Sequence, residues 1–208
     1  MTDPHNDTAD IAWLRSLAEE GAKTPPHGGS ILFAAGLIWG TASVAHWFII
    51  TGLLPVDPAG YGLIWGAALL VFLATLFILI RRLKAQGGVE TAANRAFGSV
   101  WSALGWGIFS LFTALMLLDV SRTGEVNMAD WSLAIPSIIM TFYGMGWAVS
   151  ATMLRQRMLW LLAIGAFVAA PALALISGSS IQYLAYAAAL YLLMALPGFL
   201  LMRQASRG

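Results

Sequence analysis

The chain has 208 residues, of which 59% are hydrophobic and 10% are charged. A soluble domain carries about 25% charged residues, so this composition argues against an ordinary globular protein and favours a membrane protein. The formal net charge of +1 provides no field that would recruit nucleic acid, and the lack of cysteine excludes disulfides and thiolate chemistry.

The polar N-terminal tail, residues 1–30, lacks the basic start and apolar stretch of a secretory signal. Within it, Ile11, Leu14 and Leu17 fall on one helical face, and Gly21 follows. This pattern predicts a short amphipathic helix over residues 8–20. Three placements fit such a helix: it lies on the cytoplasmic membrane surface, it packs on the inner loops, or it docks onto a membrane or cytoplasmic protein partner.

Six apolar runs without charged residues follow the tail, and each has about 20 residues, the length of helix that crosses a bilayer. Backbone groups in lipid must be paired within their own segment, so these runs predict α-helices. We therefore expect an all-α polytopic membrane protein, with a transmembrane domain over residues 31–202 and a C-terminal tail over residues 203–208. The predicted spans are residues 31–53, 61–80, 96–118, 131–152, 158–176 and 181–202.

Basic residues are distributed unevenly between the two sides of the predicted bundle. Arg122 is alone on one side, and the others of the 11 Lys and Arg residues lie on the opposite side. The positive-inside bias therefore predicts a bacterial inner-membrane protein with both termini in the cytoplasm. Five of the inner residues are predicted topology anchors or ligands of anionic lipid headgroups: Arg81, Arg82, Lys84, Arg155 and Arg157.

The order of the spans favours three helical hairpins, made by spans one and two, three and four, and five and six. Each returning span ends in a basic cluster, which is consistent with internal duplication. The same pattern is expected of any six-span protein that follows the positive-inside bias. The second outer loop, from Asp119 to Asp130, carries both signs of charge and is predicted to be solvated.

The pentapeptide Gly-Leu-Ile-Trp-Gly occurs twice, at residues 36–40 and 62–66. The first copy lies within span one and the second at the outer start of span two, so we expect them at opposite depths. Two glycines four residues apart let helices approach closely. We predict that each copy marks a tight helix crossing rather than a shared functional element.

His46 is the one ionisable residue inside the six predicted spans, and Ser43 lies one turn before it. An ionisable residue within a span is a functional hypothesis by default. Three roles fit His46: a proton-responsive site, a cofactor ligand, or a hydrogen-bonded interior residue. Because desolvation disfavours the charged imidazolium, we expect the ring to be neutral.

Uncharged polar side chains follow one face of span three and one face of span four. Hydroxyl groups join helices in lipid, and they also line paths for small solutes. Together with His46 and Ser43, four of these residues complete a candidate intramembrane polar site: Ser110, Thr113, Ser137 and Thr141. The wider stripe of span three also includes Ser99, Ser102 and Trp106.

Patterns typical of membrane enzymes are missing from the sequence. The six predicted spans contain no pair of carboxylates, and neither His-Glu-x-x-His nor Gly-x-Ser-Gly occurs. We therefore predict no enzymatic activity, no metal site and no cofactor. The favoured function is an accessory, assembly or regulatory membrane component that acts through helix contacts and its N-terminal helix. The alternative is a transporter or channel-like protein for a small neutral or apolar solute.

Overall fold

The structure is a computed structural model that describes residues 28–55, 60–85, 92–126 and 129–205. The predicted amphipathic helix over residues 8–20 lies outside these ranges. The described helices are α1 (Gly29–Ile50), α2 (Gly60–Ala85), α3 (Ala92–Thr123), α4 (Ala129–Ser132), α5 (Ile135–Leu154), α6 (Arg157–Leu175), α7 (Ile181–Leu190) and α8 (Leu196–Ala205). A π-helical turn, Tyr191–Ala195, joins α7 to α8, and the three segments form the last span, Ile181–Ala205.

Within the described ranges, six helical spans are long and apolar enough to cross a membrane, as the sequence predicts. The third is longer than its apolar run and continues to Thr123, so Asp119 belongs to α3 and not to a loop. The Asp119 side chain is only 7% exposed, and its Oδ1 accepts a hydrogen bond from Trp131 Nε1 at 2.9 Å. The prediction of a solvated loop is therefore wrong for this carboxylate, because a tryptophan takes the place of water.

Consecutive spans run in opposite directions, which brings alternate helix ends together. Gly28, just before α1, lies against Phe97 near the start of α3, and Gly29 lies against Leu201 near the end of α8. We call this the basic end, because Arg81 and Arg203 also lie there. The opposite end is called the far end.

Helix α1 packs against α2 and, more extensively, against the last span. A second extensive pairing joins α5 to α6, and α3 packs against α5. The predicted hairpin arrangement is not confirmed, because the largest contacts join the first span to the last and span four to span five.

Glycines explain why the last span pairs with α1. A Cβ added to Gly36 would come closer than 3.0 Å to backbone atoms of Ala195, and one added to Gly40 would meet the ring of Tyr191. The helices can be this close only because these positions have no side chain. The tight crossing predicted for the first pentapeptide is confirmed.

The second pentapeptide behaves differently. A Cβ added to Gly62 or Gly66 would meet nothing within 4 Å, so the predicted tight crossing is wrong for this copy in the described part of the chain. The two copies nevertheless touch, because the rings of Trp39 and Trp65 stack with centroids 6.1 Å apart. The two copies are thus joined through their tryptophan side chains.

Candidate functional site

His46 lies in the far half of α1 and is 8% exposed. Its Nδ1 accepts a hydrogen bond from Nε1 of Trp65 in α2, at 2.9 Å. Because an indole N–H can only donate, Nδ1 carries no proton, and the proton of the neutral ring is on Nε2. The bond to Trp65 is the only hydrogen bond that His46 makes with residues described by the structure.

Two tyrosines enclose the imidazole ring. Tyr61, in the first turn of α2, stacks on one side with centroids 4.6 Å apart and planes at 25°. Tyr183, in the first turn of α7, stacks with centroids 3.8 Å apart and planes at 19°. We call His46, Tyr61, Trp65 and Tyr183 the histidine cluster. Since its members belong to α1, α2 and α7, the cluster joins three helices at the far end.

Ser43, one turn before His46 in α1, attaches the backbone of Tyr183 to α1 beside the histidine cluster. Its fully buried Oγ donates to the backbone carbonyl of Tyr183 at 2.7 Å, which fixes α7 against α1 one turn from His46. The Tyr183 side chain also makes a hydrogen bond with Ser132 of α4. His46 is thus held as a hydrogen-bonded interior residue, with both ring faces covered by aromatic side chains.

The chemistry open to the cluster follows from the groups that surround it. Among the described residues, no three His, Asp or Glu side chains are placed to hold a metal ion. Within the same ranges, no carboxylate hydrogen-bonds to His46 to orient the ring as a catalytic base would require. What these contacts do is attach helices α2 and α7 to α1.

Ser110 and Thr113 lie elsewhere, on the exposed side of α3. Thr113 Oγ1 donates to the carbonyl of Phe109 in its own helix, at 2.9 Å. The other polar residues of the stripe are exposed with them, and Trp106 is 70% exposed. We call this the hydroxyl face of α3, which comprises Ser99, Ser102, Trp106, Ser110 and Thr113. The opposite side of α3 packs on the core through Phe97, Trp101 and Ile108.

Ser137 and Thr141 occupy a third place, on α5. Thr141 is exposed and donates to the carbonyl of Ser137 at 3.0 Å. The Ser137 Oγ is buried and has no hydrogen-bond partner among the described residues. The structure therefore does not bring the six predicted polar residues together: it divides them among the histidine cluster, the outside of α3 and the α5 helix.

The predicted headgroup ligands all lie at the basic end. Arg81, Arg82, Lys84, Arg155 and Arg157 are exposed there. The Arg81 guanidinium lies 4.3 Å from the centroid of the Phe77 ring. Two described carboxylates, Asp119 and Glu125, lie at the far end, together with Arg122. The two ends of the described bundle thus differ strongly in charge.

Gln182 is an interior residue that the sequence reading missed. It is fully buried, and its Nε2 donates to the carbonyl of Leu133 at 2.7 Å. Its Oε1 accepts from the backbone N–H of Gly178 at 3.3 Å. One amide thus ties the starts of α5 and α7 together. The position of Gln182 as the one glutamine within the six predicted spans was the available sequence signal, because a polar side chain in lipid needs partners.

Comparison with protein-family models, curated proteins and solved structures finds no match to this chain. The function has to be argued from the residues and their arrangement.

Proposed function

We propose that this chain is an accessory or assembly component of the bacterial inner membrane, and that it holds another membrane protein through the hydroxyl face of α3. The observation that supports this proposal is that the hydroxyl face points away from the core of the bundle. Its serines and Thr113 lie on the outside of the bundle, on the side of α3 opposite the contacts with α5. They lie where an isolated molecule would meet lipid.

The two outer helices provide an internal comparison. Before the cationic end of α2 at Arg81, the exposed side chains of this helix are apolar, as a lipid-facing surface requires; examples are Leu70, Leu73 and Phe77. On α3, by contrast, Ser102 and Ser110 are exposed and make no hydrogen bond with described residues. A polar group in hydrocarbon costs free energy unless it is paired, so this face gains from contact with another helix.

The shape of the hydroxyl face suits such a contact. Gly98 and Gly105 lie on the exposed part of α3, and an added Cβ at either would meet nothing within 4 Å. Small residues allow a second backbone to approach, and each hydrogen bond between helices contributes about 0.6–2 kcal/mol. The expected partner is a transmembrane helix with small residues and hydrogen-bond acceptors, and Trp106 is the large side chain available to anchor it.

The alternative proposal, a path for a small neutral or apolar solute, needs the hydroxyl groups of α3 and α5 to line a common passage. Ser110 and Thr113 are outside α3, whereas Ser137 lies on α5 with its Oγ buried. This separation favours the helix-contact proposal.

We also propose that the basic end faces the cytoplasm, which places both termini there. Among the described residues, the exposed Lys and Arg side chains lie at the basic end, except Arg122 at the far end, and this distribution supports the orientation under the positive-inside bias. A cytoplasmic N-terminal helix over residues 8–20 would then provide a second contact for the same partner.

The proposal is tested by gentle extraction from the host membrane followed by native mass spectrometry. We expect a stoichiometric second membrane polypeptide with the unaltered chain, and its loss in the double variant Ser102→Leu, Ser110→Leu. Thr152→Leu is the matched control, because it removes an exposed hydroxyl from α5 instead. Absence of a second polypeptide, or its retention by the double variant, would contradict the proposal. A reproducible small molecule without a protein partner would favour the solute alternative.

A further inference from the structure

A groove lies on the outside of the bundle, where α2 packs along α1. Its volume is about 430 Å³, which is within the range of about 300–1,000 Å³ typical of small-molecule sites. Among the residues that line it, Thr41 carries the only polar side chain and the others are apolar. Four small side chains make room for the groove: Ala42, Ala45, Ala67 and Ala68.

The groove is short and lies deep in the membrane. On α1 it extends from Leu37 to Ala45, which is about 12 Å at 1.5 Å per residue, whereas a helix that crosses the hydrocarbon core needs about 30 Å. Thr41 lies near the middle of α1, about 18 Å from Gly29 and about 14 Å from Ile50. These dimensions suit a compact molecule dissolved in the bilayer better than a helix of a second protein.

The hydroxyl group of Thr41 is directed differently from those of other exposed threonines within helices. Three of them donate to the carbonyl four residues earlier in their own helix, at 2.9–3.0 Å: Thr113, Thr141 and Thr152. Thr41 Oγ1 instead shares a hydrogen bond of 3.2 Å with the hydroxyl of Tyr191, the first residue of the π-helical turn. The Tyr191 ring can lie this close to α1 because Gly40 has no side chain.

This pair of hydroxyl groups has more donors than its own hydrogen bond uses. Either oxygen can be the donor, and the proton of the other hydroxyl then has no acceptor among the described residues. A polar group that is unpaired in hydrocarbon costs free energy, and at this depth the lipid chains provide no acceptor. The pair is therefore placed to donate to an acceptor atom of a molecule in the groove.

We propose that the groove binds a neutral, lipid-soluble carbonyl compound, the class that includes aromatic ketones and quinones. Its apolar body lies between α1 and α2, and its carbonyl oxygen accepts a hydrogen bond from the pair formed by Thr41 and Tyr191. A carbonyl oxygen accepts without donating, which matches the remaining donor. A charged ligand does not fit, because no charged side chain lines the groove and an unpaired charge at this depth is costly.

Benzophenone is the probe for this site, because it is neutral and apolar, carries one carbonyl, and bonds covalently to nearby C–H groups under ultraviolet light. The full chain in liposomes is irradiated with increasing amounts of benzophenone, and mass spectrometry identifies the labelled residues. We expect saturable labelling within residues 37–45 and 64–71. Fluorenone should compete for the site, whereas fluorene, which has nearly the same shape without the carbonyl, should not.

Two variants test the two parts of the site. Thr41→Val with Tyr191→Phe removes both hydroxyl groups and keeps their shape, so the benzophenone concentration for half-saturation should rise about threefold to tenfold, as expected for one hydrogen bond. Thr152→Val is the control, because it removes an exposed hydroxyl from α5. Ala67→Phe fills the groove from an exposed position of α2 and should abolish saturable labelling, whereas Ala172→Phe, at an exposed position of α6, should not.

Three outcomes would overturn the proposal. Labelling that rises linearly on all lipid-facing helices would show that benzophenone only partitions into the bilayer. Equal competition by fluorene would show that the carbonyl is not recognised, and an unchanged half-saturation in the double variant would exclude the hydroxyl pair. None of these outcomes affects the proposed protein partner, which is detected by its own mass and depends on Ser102 and Ser110 of α3.

Discussion

Trp147 donates its indole N–H to the backbone carbonyl of Leu193, at 3.0 Å. Leu193 precedes Pro197 by four residues, so the carbonyl faces a residue with no N–H to donate in an α-helix. A proline inside a helix leaves such a carbonyl to be satisfied by another group. Here a fully buried side chain from α5 supplies the missing donor beside the π-helical turn.

Replacement of that donor gives the first prediction. Trp147→Phe keeps an aromatic ring but leaves the Leu193 carbonyl without its donor, so we expect the free energy of unfolding to fall by about 1–3 kcal/mol. The measurement is reversible unfolding in mixed detergent micelles. Trp106→Phe is the control, since that ring is exposed and should be replaceable at little cost. Equal effects of the two substitutions would argue against a structural role for the Trp147 bond.

A single added methyl group tests the crossing of α1 with the last span. Gly36→Ala would push the new Cβ into backbone atoms of Ala195, and we expect destabilisation of about 1–3 kcal/mol from overpacking. The same change at Gly105 meets no neighbour within 4 Å and should leave stability unchanged or slightly raised. Thermal melting of both variants in detergent separates the cases. A wild-type melting temperature for Gly36→Ala would show that the helices are farther apart than described.

The bond between His46 and Trp65 is measured best by a double-mutant cycle. His46→Phe retains a ring between Tyr61 and Tyr183 and removes the acceptor, whereas Trp65→Phe removes the donor. We expect a coupling free energy of about 0.6–1.7 kcal/mol, the range for hydrogen bonds between membrane helices. A coupling near zero would mean that the stacked rings, and not this hydrogen bond, attach α2 to α1.

Gln182→Leu should loosen the far end of the bundle. It removes the donor to Leu133 and the acceptor for Gly178, and the N–H of Gly178 is left unpaired. The expected loss of unfolding free energy is about 1–3 kcal/mol. Gln204→Leu is the comparison, because that side chain is exposed near the end of α8. Hydrogen exchange at the backbone of residues 176–182 reports the local effect, and unchanged exchange rates there would count against it.

The orientation proposal predicts where a reporter enzyme is active. Alkaline phosphatase fused after Glu125 should fold in the periplasm and be active, because this position follows the end of α3 at the far end. A fusion after Ala205, at the basic end, should be inactive. The reverse pattern would place the basic end outside the cytoplasm.

The six spans were predictable because the length of an apolar run is a local property of the sequence. The end of α3 was not, because its helix continues through Asp119 by means of a bond to Trp131, which is 12 residues away. The pairing of the first span with the last rests on contacts such as that of Thr41 with Tyr191, 150 residues apart. Hydropathy along the chain contains no information about such partners.

The candidate site was only partly predictable for a similar reason. His46 stands out because it is ionisable, and Ser43 follows from helical spacing. Their partners Tyr61, Trp65 and Tyr183 are aromatic residues of apolar spans, and nothing in the sequence pattern marks them as neighbours of His46. Helices that are apolar on all sides do not reveal which side faces a neighbour, so the rotation that joins these rings could not be read from the pattern. For the same reason, the sequence did not reveal that Ser110 and Thr113 face out of the bundle.

The contact between the first span and the last has a consequence for the order in which the protein is made. Helix α1 is synthesised before the side chains that pack on Gly36 and Gly40, because four further spans lie between α1 and Tyr191 in the chain. Until the last span is made, this face of α1 is open to lipid or to other helices. A chain interrupted before the last span therefore exposes the glycine face of α1 that the complete bundle buries.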